Sequence, residues 1–362
     1  MPNVSAPLIW TGSALVLSAL LTEASILYAR RRNLIDEPGM RRSHSVPTPR
    51  GGGIGIVVAI VACGLLPAVG SQDFPGAMWW LLPPVVAIAL VGWIDDHRAL
   101  SARTRFAIHC AAAIWTFALP AAAVGFGSPF LEHVSRIQAW LFVPLVAVTV
   151  LAVVWSINLH NFMDGIDGIL ALQAIFVFAV LAGLEHRVSP MWIPWQHIVW
   201  IAAIAGFVPF NFPRPRIFMG DVGSGVIGFL IAVAVSWQMS SSGVAPLSGI
   251  VACSAFVTDA TCTLISRMFR GRRWYSAHRE HLYQWLVRCG HSHARVVAFY
   301  MGWNLLIVLP VIFWMNRSTA LDSTGSGIAA AAAVYTLAVI VWFVGKRRCL
   351  AVVRARSRHA TA

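Results

Sequence analysis

Five aspartates in this chain stand in three short motifs: Asp95 and Asp96 in GWIDDHRAL, Asp164 and Asp167 in NFMDGIDG, and Asp221 in FMGDVGSG. The whole sequence holds only 14 Asp and Glu, so this concentration is not a property of its composition. Adjacent Asp95 and Asp96 repel each other. Asp164 and Asp167 are three apart and share a face if their segment opens a helix. A solvated loop needs none of this spacing. Carboxylates converging on one face of a protein suit a hard cation, Mg²⁺ or Mn²⁺, held together with substrate phosphates. Gly165, Gly168, Gly220, Gly223, Gly225 and Gly228 alternate with these acids. Such glycines serve tight loop geometry and helix packing, and they also let backbone approach a phosphate closely.

Two basic segments supply the complementary charge. Residues 36–53 read DEPGMRRSHSVPTPRGGG, too rich in Pro and Gly for a regular helix. Residues 267–296 carry seven of the arginines and the tetrad His278-Arg279-Glu280-His281. Topology and lipid headgroups account for part of these arginines. Closely spaced His and Arg are also good donors to phosphate oxygens. Within this segment Leu282, Trp285, Leu286 and Cys289 recur at helical spacing, which predicts a short amphipathic helix at the interface. Asp259 lies inside an apolar run, where an acid is costly; it serves either function or a pair with a nearby Arg such as Arg267.

The elements that must position these groups are transmembrane helices. The chain has 362 residues, 58% hydrophobic and 11% charged, and a mean hydropathy of +0.72. A soluble domain carries roughly a quarter charged residues. Apolar runs near 7–28, 54–70, 77–94, 106–126, 138–157, 168–184, 198–213, 222–239, 247–266, 297–315 and 326–345 predict an all-α, polytopic bundle of about eleven spans. No polar stretch is long enough for a separate soluble domain, so residues 1–362 read as one integral membrane domain. Of the 27 Lys and Arg, only Arg136, Arg187 and Arg317 fall in the connections on one side. That asymmetry predicts an outside N-terminus and a cytoplasmic C-terminus, with all five aspartates at the cytoplasmic face. It also explains the net charge of +13 without nucleic acid as a partner. No cleavable signal peptide is visible; the RRR after the first run fits an anchor. The 6 cysteines form no CxxC pair, which predicts neither a disulfide framework nor a zinc site.

The pieces RRSHSVPTPRGGG (41–53), DD (95–96), NLHNFMDGIDG (158–168), NFPRPRIFMGDVGSG (211–225) and HREHLYQWL (278–286) resemble a known family in type and order. They look like the polyprenyl-phosphate N-acetylhexosamine-1-phosphate transferases, the superfamily of WecA-type and MraY-type enzymes. The resemblance spans most of the chain and implies the WecA-type branch of that bundle. It implies a Mg²⁺-dependent enzyme in the bacterial inner membrane, with its site on the cytoplasmic face. Such an enzyme moves a sugar-1-phosphate from a UDP-sugar to undecaprenyl phosphate and releases UMP. It implies Asp221 as metal ligand and Asp95, Asp96 and Asp164 as catalytic acids. Asn158, Asn161, Asp164, Asp167, Asn211 and Phe218 would line the nucleotide pocket, and His278, Arg279 and His281 would contact the phosphates or the sugar.

Two departures bear on specificity. MraY-type enzymes carry a run of His where this chain has HREH, which disfavours the peptidoglycan precursor as substrate. Arg214 and Pro215 stand where the family shows Pro-Ala. The HREHLYQ form is similar to enzymes that start O-antigen synthesis, some of which accept UDP-N-acetylfucosamine or UDP-N-acetylquinovosamine instead of UDP-GlcNAc. A lipid or solute transporter is the alternative from another class. Its charges should lie near the midplane between inverted repeats; here the acids gather at one face and no internal repeat is visible. For the transferase, direct displacement by the lipid phosphate competes with prior attack by an aspartate.

Overall fold

The computed structural model describes residues 5–37, 46–68, 79–123, 139–190, 194–241, 243–272, 278–317 and 323–360. The front of the first basic segment, including Arg41, Arg42 and His44, lies outside them, as does Arg136.

The described chain is helical almost throughout. We label the helices α1 (Ser5–Arg31), α2 (Gly53–Ile60), α3 (Leu82–His97), α4 (Ala102–Ala123), α5 (Ala139–Met163), α6 (Ile169–Val188) and α7 (Trp195–Asn211). They continue with α8 (Gly220–Ser240), α9 (Ser248–Ala252), α10 (Ser254–Phe269), α11 (Leu282–Arg288), α12 (His293–Trp303), α13 (Leu309–Met315) and α14 (Ser323–Ala360). A π turn, Val61–Leu65, prolongs α2, and another, Asn304–Val308, joins α12 to α13. Within the described residues, each predicted apolar run falls mainly on helix. Among the described residues, six helical stretches are long and apolar enough to cross a membrane: Pro7–Arg31, Val143–Met163, Ile169–Val188, Gly220–Ser240, His293–Met315 and Gly325–Arg356. The short helix predicted in the second basic segment is α11.

Burial ranks these helices. In α8, 72% of the most apolar window is buried, against 28% in α14, which presents its apolar side outward. Helix α8 is therefore the axis: α2, α3, α5 and α6 all pack on it, while α1 packs on α2 and α7. Small residues permit this closeness. A Cβ at Gly228 would stand 2.8 Å from the Ser156 carbonyl of α5, and one at Gly53 would stand 2.5 Å from the Gly223 backbone. Polar side chains add interhelical bonds in a medium without water. Ser156 Oγ donates to the Gly228 carbonyl at 2.7 Å, and Asn304 Nδ2 donates to Gln173 Oε1 at 2.7 Å.

A two-stranded antiparallel ribbon, β1 (Ile35–Asp36) with β2 (Thr48–Pro49), fastens the first loop. Its continuation runs beside the segment before α8: Phe218 N donates to the Pro49 carbonyl at 2.8 Å and Gly52 N to the Phe218 carbonyl at 2.9 Å. The N-terminal ends of α2 and α8 are thereby brought to the same level as the loop following α5.

Candidate active site

At that level lies a cavity of about 230 Å³. It is lined by Asn161, Asp164, Asp167, Asn211, Phe218, Asp221 and Ser224, by Arg50 and Asp36 of the first loop, and by Gln284 and His293. Six of the residues singled out from sequence thus meet in one place.

Asp164 and Asp167 occupy the connection between α5 and α6, since α6 begins only at Ile169. They share the cavity through a turn, not through a helix face. Asn211 holds that turn: its Oδ1 accepts from Gly168 N at 2.7 Å, and its Nδ2 donates to the Ile217 carbonyl at 3.0 Å. One buried amide therefore couples the DGIDG turn to the FMGD loop. Asp167 Oδ2 pairs with His293 Nδ1 at 2.6 Å, and Asn161 Nδ2 donates to Ser224 Oγ at 3.1 Å. Burial, and then the charges of Asp221, Asp96 and Asp167, hold the Asp164 carboxyl well above the usual carboxylate range.

Asp96 and Asp95 do not line the cavity. Being consecutive on a helix, they point to different neighbours. Asp96 turns to the start of α8, accepting from Asp221 N at 3.1 Å and Val222 N at 3.4 Å, and it pairs with Arg50. A helix N-terminus with free amides favours such a carboxylate. Two glycines make the approach possible. Gly92, one turn before Asp96, has no Cβ to collide with the Asp221 carbonyl, which would lie 2.6 Å away. Gly220 adopts φ +77, and a side chain there would meet Asp96 Oδ2 at 2.5 Å. Asp95 binds Arg105 Nη1 at 2.7 Å.

Arg50 and Arg105 flank Asp221, at 3.8 Å and 3.5 Å from its carboxylate. Arg105 drew no attention in the sequence, although ALSARTR places it ten residues beyond Asp95. Gln284 and His293 were missed for a related reason: their role depends on how α11 and α12 dock.

That docking sets the HREH tetrad apart from the cavity. Asp259, 2% exposed, accepts from Leu282 N at 2.7 Å and Tyr283 N at 3.3 Å, fixing the first turn of α11. It also accepts from Tyr300 Oη at 2.7 Å and Trp342 Nε1 at 3.0 Å. Arg267, considered as its partner, instead pairs with Glu280, which also takes Arg272 at 2.9 Å. Of this segment Gln284 lines the cavity, whereas His278, Arg279 and His281 are not among its lining residues. The rings of His278 and His281 stack at 5.0 Å. Tyr283 Oη donates to the Phe162 carbonyl at 3.0 Å and ties α11 to α5. Asn158 also points elsewhere, its Nδ2 bonding the Val154 carbonyl at 2.7 Å within α5.

Among the described residues, no three Asp, Glu, His or Cys side chains are disposed to enclose a cation. The donors fit a different arrangement: Mg²⁺ is commonly bound by one or two carboxylates and completed by substrate phosphates and water. Asp221 faces the cavity, and Asp167 Oδ1 is buried without a hydrogen-bond partner. Crowding of Asp164 by three like charges is the kind that a cation relieves. All six cysteines are free thiols.

The chain matches glycosyl transferase family 4 over residues 78–238. It is similar to the decaprenyl-phosphate N-acetylglucosaminephosphotransferase of Mycobacterium tuberculosis (strain ATCC 25618 / H37Rv), 29% identical over 89% of this chain and 86% of the relative. It is 25% identical to the probable undecaprenyl-phosphate N-acetylglucosaminyl 1-phosphate transferase of Bacillus subtilis (strain 168), over 78% of this chain and 79% of that one. It is 26% identical to the undecaprenyl-phosphate alpha-N-acetylglucosaminyl 1-phosphate transferase of Escherichia coli (strain K12), over 73% and 72%.

Proposed function

We propose that this chain is a membrane enzyme of glycosyl transferase family 4 and that it transfers an N-acetylhexosamine-1-phosphate from a UDP-sugar to undecaprenyl phosphate and releases UMP. The observation that carries this reading is the meeting of Asp164, Asp167 and Asp221 in one cavity with Arg50 and Arg105 beside Asp221. That mixture of acids and guanidinium groups suits a metal–diphosphate. A transporter's charges would lie nearer the midplane.

Both substrates are anions, so their encounter is repulsive. A magnesium ion, held by Asp221 with help from Asp164 or Asp167, would offset charge on the diphosphate when bound. The chain's own groups do the rest. Arg50 and Arg105 offer donors to phosphate oxygens. Asp96 holds the first turn of α8, and Asp95 aims Arg105. Asn161, Asn211 and Phe218 shape the nucleotide end, and Gln284 and His293 complete the lining, His293 through its contact with Asp167. A phosphate monoester has a second pKa of about 6. The acceptor is therefore mostly dianionic at neutral pH and needs no general base. Its oxygen attacks the sugar-bearing phosphorus directly, and the bond to the UMP phosphate breaks with both electrons going to UMP.

The names of the relatives favour N-acetylglucosamine as the sugar over the N-acetylfucosamine or N-acetylquinovosamine of O-antigen-initiating enzymes. The excess of Lys and Arg beside the aspartate-bearing loops supports a cytoplasmic face in a bacterial inner membrane. Purified protein given undecaprenyl phosphate, Mg²⁺ and a panel of UDP-N-acetylhexosamines should release UMP and form one lipid-linked product. Asp221→Asn should lose turnover by at least about a hundredfold while remaining inserted. No turnover with any donor from folded protein would refute the assignment.

A further inference from the structure

A second cavity, of about 350 Å³, lies between the C-terminal end of α10 and the C-terminal half of α14. Four of its lining residues are cations, Arg270, Lys346, Arg347 and Arg354, and none is acidic. Trp342 and Leu350 form its apolar wall. Lys346 is only 5% exposed, and its Nζ has no hydrogen-bond partner. Its contact is the face of Trp342, 4.3 Å away. A ring face replaces the lost hydration of an ammonium only in part.

The carboxylates whose charge reaches Lys346 are those of Glu280 and Asp259. Glu280 is engaged by Arg267 and Arg272, and Asp259 by backbone amides, Tyr300 and Trp342. The recess thus sets Lys346, whose ammonium has no hydrogen-bond partner, among further cations, and leaves its counter-charge to something else. The level of the recess says what. Along α14, Val339, Ile340, Phe343 and Val344 are exposed and apolar. From Lys346 onward the helix turns basic, with Arg347, Arg348, Arg354 and Arg356. Such a changeover marks the passage from acyl chains to headgroups. At the same end of the bundle Tyr283 of α11 ties to the last turn of α5, and His293 at the start of α12 pairs with Asp167 of the candidate active site.

We propose that this recess binds the headgroup of an anionic glycerophospholipid. The phosphodiester sits against Lys346, Arg347 and Arg270, and the acyl chains run down the exposed apolar side of α14. Basic pockets between transmembrane helices take lipid headgroups in this way. Free phosphate could use the cations but would gain nothing from Trp342, Leu350 or the apolar flank.

The test is native mass spectrometry of the full-length detergent-purified protein with phosphatidylglycerol, with phosphatidylcholine and with inorganic phosphate. Phosphatidylglycerol should be retained preferentially and should raise the thermal midpoint. Arg270→Gln with Arg347→Gln, both at exposed positions, should weaken retention by about fivefold per cation removed. Lys346→Gln should weaken it at least as much. Equal retention of phosphatidylcholine, or retention unchanged in the double variant, would overturn the proposal. Displacement of the lipid by millimolar inorganic phosphate would assign the recess to free phosphate and overturn it as well.

Discussion

Asp96 accepts the backbone amide of Asp221 at 3.1 Å, across 125 residues of chain. It is the N-terminal cap of α8, supplied by a different helix, and it leaves the Asp221 side chain facing the cavity. The same carboxylate pairs with Arg50, so three segments that never meet in sequence share one anchor.

Replacing that anchor should therefore damage stability and turnover together. Asp96→Ala leaves two amides and a guanidinium without their acceptor, and each charge-assisted bond contributes roughly 1.5–3 kcal/mol. Since Arg50 is partly exposed, the lower end applies to that pair. Asp96→Asn keeps one acceptor and should fall between Ala and wild type in thermal midpoint. Gly92→Ala should mimic Asp96→Ala in turnover by pushing α3 away from α8. A midpoint unchanged in Asp96→Ala would remove the capping role.

Asp164 should trade stability for function. Its carboxyl is held above the ordinary range, first by burial and then by Asp221, Asp96 and Asp167. A raised carboxyl binds a proton in the folded state that the unfolded state has lost, so folded stability falls as pH rises toward neutral. Asp164→Asn should thus melt higher than wild type at pH 8, and the gap should shrink toward pH 4.5. UMP release should drop in the same variant. Melting curves at four pH values decide it; a gap independent of pH contradicts the crowding.

His278 has the opposite sign. Burial, followed by the His281 and Arg267 charges, pushes its imidazole down to about 4. An unfolded His titrates near 6.5, roughly. Between these values the unfolded chain binds more protons, so this group makes stability rise with pH and ceases to matter above the unfolded value. His278→Gln should be less acid-sensitive than wild type between pH 4.5 and 6.5. An identical acid profile would show that the ring is charged in the fold.

Asp259 should behave as a structural residue. Asn can accept on one oxygen only, so Asp259→Asn strands part of the set formed by Leu282 N, Tyr283 N, Tyr300 and Trp342. A loss of about 2–4 kcal/mol is expected, because buried donors would be left unpaired. The variant should melt early, and any loss of turnover should be recovered at lower temperature. Normal melting with abolished turnover would instead make Asp259 part of the chemistry.

Much of this molecule is legible along the chain. Apolar runs separated by short charged connections dictate membrane helices, because a helix satisfies its own backbone where no water can. Aspartates and glycines crowded into three connections pick out the site, because acids away from a purpose are too costly to collect there. What the chain cannot express locally is the direction each carboxylate takes. Asp95 and Asp96 look equivalent in GWIDD, yet one aims Arg105 and the other caps α8; only the close approach at Gly92 and Gly220 separates them. Arg50 belongs to a basic segment that the sequence does mark, but it reaches the cavity through loop pairing; Gln284 and His293 reach it through helix docking, which nothing beside them in sequence signals. The HREH tetrad has the residue types of a phosphate site, and the contacts that hold its segment, Leu282 N to Asp259 and Arg267 to Glu280, come from a helix the sequence does not place beside it. Local composition determined the helices and the place of the acids. Long-range hydrogen bonds to buried carboxylates decided which side chains meet, because such groups must find partners wherever the fold provides them.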